Sequence, residues 1–388
     1  MTEAASRQWN RRVLFVAYDL HSIGGIQRYS RYELRALAEL VGNAGLCVCS
    51  LHPRVGPQFD DELAVDVVGR GSSVPSKIGF ERRVLRAAKE HRPDLVVCDH
   101  IVLAPIALAA ARRARATLCV NVYGIEVWGR LPVWRRMALL RADVVVSDCE
   151  FTRGVLERRF PALRGRIGVV ADCVDTRSFA PAEADGSFRD ELGLDGNPVV
   201  LTVSRLAPGR SKGQEVVMRA LADLRRDSGI VVTYLVVGDG RDRPRLERLA
   251  RELEIDGSVV FAGSVEDSRL PAVYGLCDVF VLVSGFRLGR NPEGEGVPLV
   301  VLEAQACGKP VVTSRLDGSA ESIADGETGF LVDPHDPAEV GDALHRLVAD
   351  RRLREQMGVA ARRLAVEQFS FEIFRSRLEQ ALSLTTAP

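Results

Sequence analysis

Short, unbroken runs of β-branched and apolar residues recur along this chain, each followed by a stretch with helical spacing, and the series runs through twice. The first series reads RRVLFVAYDL, a helix from about Gln27 to Leu40, LCVCSL, DLVVCDH, an alanine-rich helix from Ala104 to Ala114, ATLCVNVYG and DVVVSDC. The second reads PVVLTVSRL, a helix from Gln214 to Leu224, VVTYLVVGDG, the helix RPRLERLAREL, SVVFAGS, DVFVLVS, a helix from Leu299 to Ala306 and KPVVTS. A strand that is apolar on both faces must be covered on both, and strands joined through helices run parallel. Each series is therefore expected to form an α/β, doubly wound, Rossmann-like domain. The chain's 388 residues leave room for two such domains with separate cores. The expected divisions are 1-180, 181-370 and a closing helical segment 371-388, with the linker near 172 to 196, where DCVDTRSFAP gives way to polar, glycine-containing sequence.

Charge narrows the function classes. The 52 basic and 52 acidic residues cancel, and a chain that gathers phosphate backbones needs a standing positive charge, so a dedicated nucleic-acid binder is disfavoured. Residues 1 to 180 nevertheless carry a net +8 and residues 181 to 388 a net −8. Eight cysteines lie in or beside apolar runs, and no C-x-x-C pair is present to clamp a metal. The expected setting is a reducing cytoplasm. No window approaches the roughly 18 apolar residues of a membrane span, so any membrane contact is expected to be peripheral.

Open parallel sheets bind ligands beyond the carboxyl ends of their strands, and two such domains are expected to face each other across a cleft. Chemistry-bearing residues should then follow strands. After the first strand, HSIGGIQRYS opens a helix with Gly24 and Gly25, which suits either an anion at the helix N-terminus or a plain tight turn. After PVVLTV, the segment SRLAPGRSKGQE gathers Arg205, Arg210 and Lys212, a set suited to a diphosphate. The G-x-G of VVGDGRDRPRL lacks the third glycine of a dinucleotide fingerprint, because Arg243 stands there, so no NAD site is expected. Gly263 and Val265 follow SVVFAG, where backbone atoms can meet a base or simply turn. The densest segment is EGEGVPLVVLEAQACGKPVVTS. Glu295 sits on a loop before a helix, Gly296, Val297, Pro298 and Leu299 lead into it, and Glu303 lies about one turn inside. Free amides for an anion, flanked by carboxylates that accept from hydroxyls, suit a ligand with both phosphates and sugars.

The Glu295 to Glu303 spacing within EGVPLVVLEAQACGKPVV, together with the SRL…KG block, the GGIQR loop and DCVDTRSFAP, resembles the retaining nucleotide-sugar glycosyltransferases of family 4, which have the GT-B fold. The resemblance covers most of the chain. It implies transfer of a hexose-type sugar from a nucleoside diphosphate sugar to an acceptor hydroxyl with retention at the anomeric carbon. By the same resemblance Glu295 bonds the donor sugar and Glu303 the ribose. Arg205 and Lys212 neutralise the leaving diphosphate, aided by the amides of Gly25, Val297 and Leu299, and Val265 meets the base. The N-terminal domain is implied to hold the acceptor, and the last helix, about Phe371 to Leu384, to cross back onto it.

Three departures from the family pattern stand out. Where relatives commonly have a histidine, this chain has Tyr123 in Tyr123-Gly124-Ile125-Glu126, a phenol that can donate a hydrogen bond but supplies no imidazolium charge. His100 and His21 follow nearby strands. The Arg205 to Lys212 gap is long, so Arg210 is expected to share the phosphate, and the loop GFRLGRNPEGEG brings Arg287, Arg290 and Glu293 close to Glu295 in sequence. With no D-x-D triplet in the chain, no cofactor and no obligatory metal are expected. The residues leave the acceptor open among glycans, lipid-linked sugars and small natural products. RLPVWRRMALLR and ERRVLRAAKEHR are basic amphipathic stretches that fit an anionic membrane surface or ordinary half-buried helices. A GT-B epimerase acting on a UDP-sugar and an inactive nucleotide-sugar-binding protein are the alternatives to a transferase.

Overall fold

The computed structural model describes residues 9–22, 24–52, 65–182, 186–194, 196–209 and 212–384. The chain divides into two compact units, one comprising residues up to Ala171 together with those from Phe374 onward, the other Asp172–Ile373.

The first unit is built on β1 (Val13–Ala17), β2 (Leu46–Ser50), β3 (Val67–Val68), β4 (Leu95–Cys98), β5 (Thr117–Val122), β6 (Val144–Ser147) and β7 (Ile167–Val169). They pair in parallel in the order β3-β2-β1-β4-β5-β6-β7. All five residues of β1 are fully buried, as a central strand covered by helices on both faces requires. Each such Val, Leu or Phe contributes about 1.5–3 kcal/mol by leaving water. The second unit holds β8 (Val199–Val203), β9 (Thr233–Val237), β10 (Val259–Gly263), β11 (Val279–Leu282), β12 (Val311–Ser314) and β13 (Gly329–Val332), parallel in the order β10-β9-β8-β11-β12-β13. Its core joins Val200, Tyr234, Val236, Val281 and Val312 of the sheet to Val217, Met218 and Leu344 of the covering helices. Both sheets are Rossmann-like, and the fold is that of the GT-B class.

The apolar runs became strands, and the helices Ala104–Ala114 and Leu299–Ala306 have the ends their sequence implies. Three strands went unread. β3 is two residues long, while β7 and β13 contain glycine, so none shows a β-branched run; the three are edge strands of their sheets, as is β10. The first long helix, Gly25–Val41, begins two residues before Gln27. The last helix, Phe371–Ser383, contributes its later residues to the first unit: Phe374 packs edge-on to Tyr29, Trp9 Nε1 donates to Glu379 at 3.3 Å, and Arg375 pairs with Glu39.

Candidate functional site

In the second unit the loops after β8, β9 and β10 are laced together by their backbones. Ser204 N donates to Val237 O at 2.9 Å, Leu206 N to Asp239 O at 3.0 Å and Gly238 N to Gly263 O at 2.7 Å. Gly238 has φ +118°, and a Cβ there would stand 1.9 Å from the Ser204 carbonyl oxygen, so only glycine permits this approach. Gly263 and half-buried Val265 thus lie at the same sheet edge as the loop carrying Arg205. Arg205 is exposed, and Arg210 lies outside the described residues.

Lys212 and Glu295, 83 residues apart in sequence, form an ion pair. Behind Lys212, Gly213 takes φ +87° to start the helix Gln214–Ser228, where a Cβ would stand 2.4 Å from the Val283 carbonyl oxygen. Glu295 is held from three more directions. Buried Ser284, just past β11, donates its hydroxyl to Oε1 at 2.6 Å; the Glu295 N–H donates to Asp317 Oδ2 at 2.8 Å; the Gly318 N–H donates to the Glu295 carbonyl at 3.0 Å. Burial, and then the Glu295 charge, push the Asp317 carboxyl up to about 7. The Glu295 carboxylate therefore stands in a fixed place beside an ammonium.

Gly296 and Val297 lead from Glu295 to Pro298, the N-cap of the helix Leu299–Ala306. No side chain caps that helix and no acidic residue sits in its first turn, so its amide end is available to an anion. Glu303, 1% exposed, accepts from the buried Tyr274 hydroxyl at 2.7 Å. Upstream, Arg287 and Glu293 satisfy one another through a salt bridge at 2.7 Å and two backbone bonds, so that loop folds on itself as a small hairpin.

In the first unit Gly24 is the N-cap of Gly25–Val41, again without a side-chain cap. Tyr123 is half-buried, and its hydroxyl oxygen is buried, with no hydrogen bond in the structure. It faces Glu33, Asp99, Asn121 and Ser30; burial, and then the nearby Glu33 and Asp99 charges, push the phenol up. Its hydroxyl points into the unit's interior, toward this buried polar cluster. Within the cluster Asn121 Nδ2 donates to Glu33 at 2.6 Å and Ser30 to Asp99 at 3.2 Å. Burial pushes both carboxyls up to about 8.

Sequence reasoning had named Lys212, Glu295, Glu303 and the lead-in Gly296 to Leu299, and the structure gathers Lys212 and Glu295 in direct contact. It missed Ser284, Asp317 and Tyr274. Asp317 carried a signal, an Asp-Gly pair two residues beyond the strand KPVVTS; the other two look like ordinary strand-end and core residues.

Residues 23–178 match the family model described as Glycosyltransferase Family 4, and residues 185–364 the model described as Glycosyl transferases group 1. Over 316 residues the chain is 38% identical to a GDP-mannose-dependent alpha-(1-6)-phosphatidylinositol monomannoside mannosyltransferase of Mycolicibacterium smegmatis, covering 78% of this chain and 79% of that protein. A protein of the same description from Mycobacterium tuberculosis is 31% identical over 395 residues, covering 96% and 98%. Among solved structures, Anabaena HepE in complex with UDP superposes with a TM-score of 0.78 at 20% identity, covering 96% of this chain and 99% of that one.

Proposed function

Because this chain belongs to the family 4 glycosyltransferases, we propose that it moves a mannosyl group from GDP-mannose to a hydroxyl of a phosphoinositol-bearing glycolipid, with retention at the anomeric carbon. The observation that carries the reading is the Lys212–Glu295 contact beside an uncapped helix N-terminus, where one cation and one carboxylate serve the two halves of a nucleotide sugar. The donor and acceptor classes rest on the two mannosyltransferases described above.

In this reading Lys212, Arg205 and Arg210 balance the charge growing on the diphosphate, together with the amides of Val297 and Leu299. Glu295 accepts from sugar hydroxyls, Glu303 from the ribose, and the backbone at Gly263 and Val265 borders the guanine. The bond from the anomeric carbon to the diphosphate oxygen breaks, leaving an oxocarbenium-like sugar. The acceptor oxygen bonds the same face of that carbon while its proton passes to the departing phosphate oxygen. Catalysis is then largely electrostatic, and the cations of the chain take the part of a metal ion. A thermal-shift series tests the donor. GDP and GDP-mannose at about 100 times their Kd should add about 2.7 kcal/mol of stability; stabilisation by UDP- or ADP-sugars alone removes the mannosyl assignment.

The acceptor class brings a membrane with it. On the helix Val133–Leu140, Val133, Trp134 and Met137 are 68%, 63% and 47% exposed, with Arg130, Arg136 and Arg141 exposed around them. Exposed apolar side chains ringed by arginines suit the surface of an anionic bilayer. Trp134→Ala is expected to cut cosedimentation with phosphatidylinositol-containing vesicles by about tenfold. Equal binding by the variant, or none by the parent protein, removes this contact. Among the described residues no helix is long and apolar enough to cross a membrane.

A further inference from the structure

Glu303 is 1% exposed on the helix Leu299–Ala306, and a carboxylate so far out of water needs donors fixed around it. One is the Tyr274 hydroxyl, which donates to Oε2 at 2.7 Å from the helix Leu270–Leu276. Tyr274 is fully buried, so the packing around its ring fixes where the hydroxyl points. Phe280 of β11 lies 5.8 Å from that ring with planes tilted by 54°, and Phe179 meets it edge-on at 5.9 Å.

Phe179 belongs to the segment 172–181 that opens the second unit, and this segment is fastened to the helix that carries Glu303. Arg362 Nη1 donates to the Phe179 and Ala306 carbonyls, both at 2.8 Å, and Nη2 donates to the Thr176 carbonyl at 2.9 Å. Ala306 is the last residue of the Glu303 helix, where the carbonyls of the final turn favour a cation. The segment has two further supports. The Val174 N–H donates to the Phe369 carbonyl at 2.9 Å, and Gly308 lies so close to Pro181 that a Cβ there would stand 3.3 Å from its Cγ. Lys309 completes the frame: its ammonium donates to the Gly275 and Cys277 carbonyls at 3.2 and 2.7 Å, at the end of the Tyr274 helix. Two helices and one segment are thus braced around a single phenol–carboxylate bond.

We propose that Tyr274 is a positioning residue of the donor site: its phenol holds the Glu303 carboxylate at the angle from which it accepts from the ribose hydroxyls, and Phe179, tied down by Arg362, holds the phenol. The inference rests on the donor reading above, in which Glu303 takes the ribose. A carboxylate offers about four acceptor positions on its two oxygens, so a bond from Tyr274 and bonds from ribose hydroxyls can coexist. Phenylalanine in place of Tyr274 keeps the ring and its packing but removes the donor, which frees the carboxylate to turn about its last bond.

The test uses the full chain and the variants Tyr274→Phe and Phe179→Leu, with calorimetric binding of GDP and of 2′,3′-dideoxy-GDP, which lacks the ribose hydroxyls. Melting temperatures within a few degrees of the parent establish that the variants fold. The parent should prefer GDP by about tenfold or more, as a hydrogen bond to a charged group warrants. Tyr274→Phe should weaken GDP by about tenfold and leave dideoxy-GDP unchanged, and Phe179→Leu should lower the preference by about threefold. A folded Tyr274→Phe that keeps the parent's preference, or that weakens both probes alike as a packing defect would, overturns the positioning role and leaves the donor reading intact. Should Tyr274→Phe fail to fold, full preference in Phe179→Leu overturns it instead. A parent that binds both nucleotides equally refutes the ribose contact and the positioning role with it, and a parent that binds neither refutes the donor reading itself.

Discussion

Lys212→Ala and Arg205→Ala should each lower turnover by about 100- to 1000-fold, the range found when one preorganised donor to a developing negative charge is removed. Lys212 acts through position. Its helix begins at Gly213, whose φ of +87° and contact with the Val283 carbonyl fix where the chain turns, and its ammonium lies against Glu295. The cost to the fold should be small. The pair is partly exposed, at 30% and 17%, and exposed ion pairs contribute about 0.2–1 kcal/mol. Arg205 is exposed and costs still less to remove. Initial rates at saturating donor, set beside melting curves, make the comparison. Near-normal turnover in both variants sinks the phosphate role of this loop.

The second large effect lies in the interior of the first unit and concerns stability against pH. Glu33 and Asp99 are fully buried, and burial raises each carboxyl to about 8 from ordinary values of 4.5 and 3.8. Between those limits the folded chain holds two protons that the unfolded chain has released. Unfolding then frees protons, so stability falls as pH rises from about 4.5 to 8 and levels off above. At about 1.4 kcal/mol per unit, each group lowers stability by roughly 3 kcal/mol between pH 5 and 7.5. Asp317, held up to about 7, adds a smaller share with the same sign. Glu33→Gln keeps an acceptor for Asn121 but carries no charge to bury. The variant should therefore be more stable than its parent at pH 7.5, by a few kcal/mol, and show about half the pH slope in urea melts. An unchanged slope contradicts the burial of an ionisable group at this position.

The fold was legible where physics is local. An apolar run covered on both faces can be little other than a parallel strand, and Val13–Ala17 or Val279–Leu282 shows this without reference to the rest of the chain. The helix Ala104–Ala114 announced itself through Pro105 in its first turn and a run of alanines. The edge strands β3, β7 and β13 did not, because pairing with a neighbour rather than their own composition makes them strands. The site divides in the same way. Glu295, Glu303 and the residues between them belong to one continuous segment, so their spacing was informative. The contact of Lys212 with Glu295 crosses 83 residues and depends on β8 and β11 being neighbours. Ser284 and Asp317 enter only through that same sheet order. For Tyr123 the residue and its place after a strand were legible, but its buried hydroxyl near Glu33 of a distant helix was not.

The opposite charges of the two halves acquire a place in this picture. The −8 half contains the loop where Arg205 and Lys212 stand as a local exception, and the +8 half contains Trp134 with its arginines. A basic surface there would draw an anionic lipid, an attraction that salt should weaken.

The central claim is mannosyl transfer with retention. The most direct measurement incubates the full chain with GDP-mannose and vesicles carrying phosphatidylinositol or its monomannoside in EDTA, then follows GDP release and reads the anomeric configuration of the product by NMR. GDP release matched by an α-mannosyl lipid is the predicted result. A β-linked product, a donor sugar altered with its diphosphate bond intact, or no product from any phosphoinositol acceptor would contradict it.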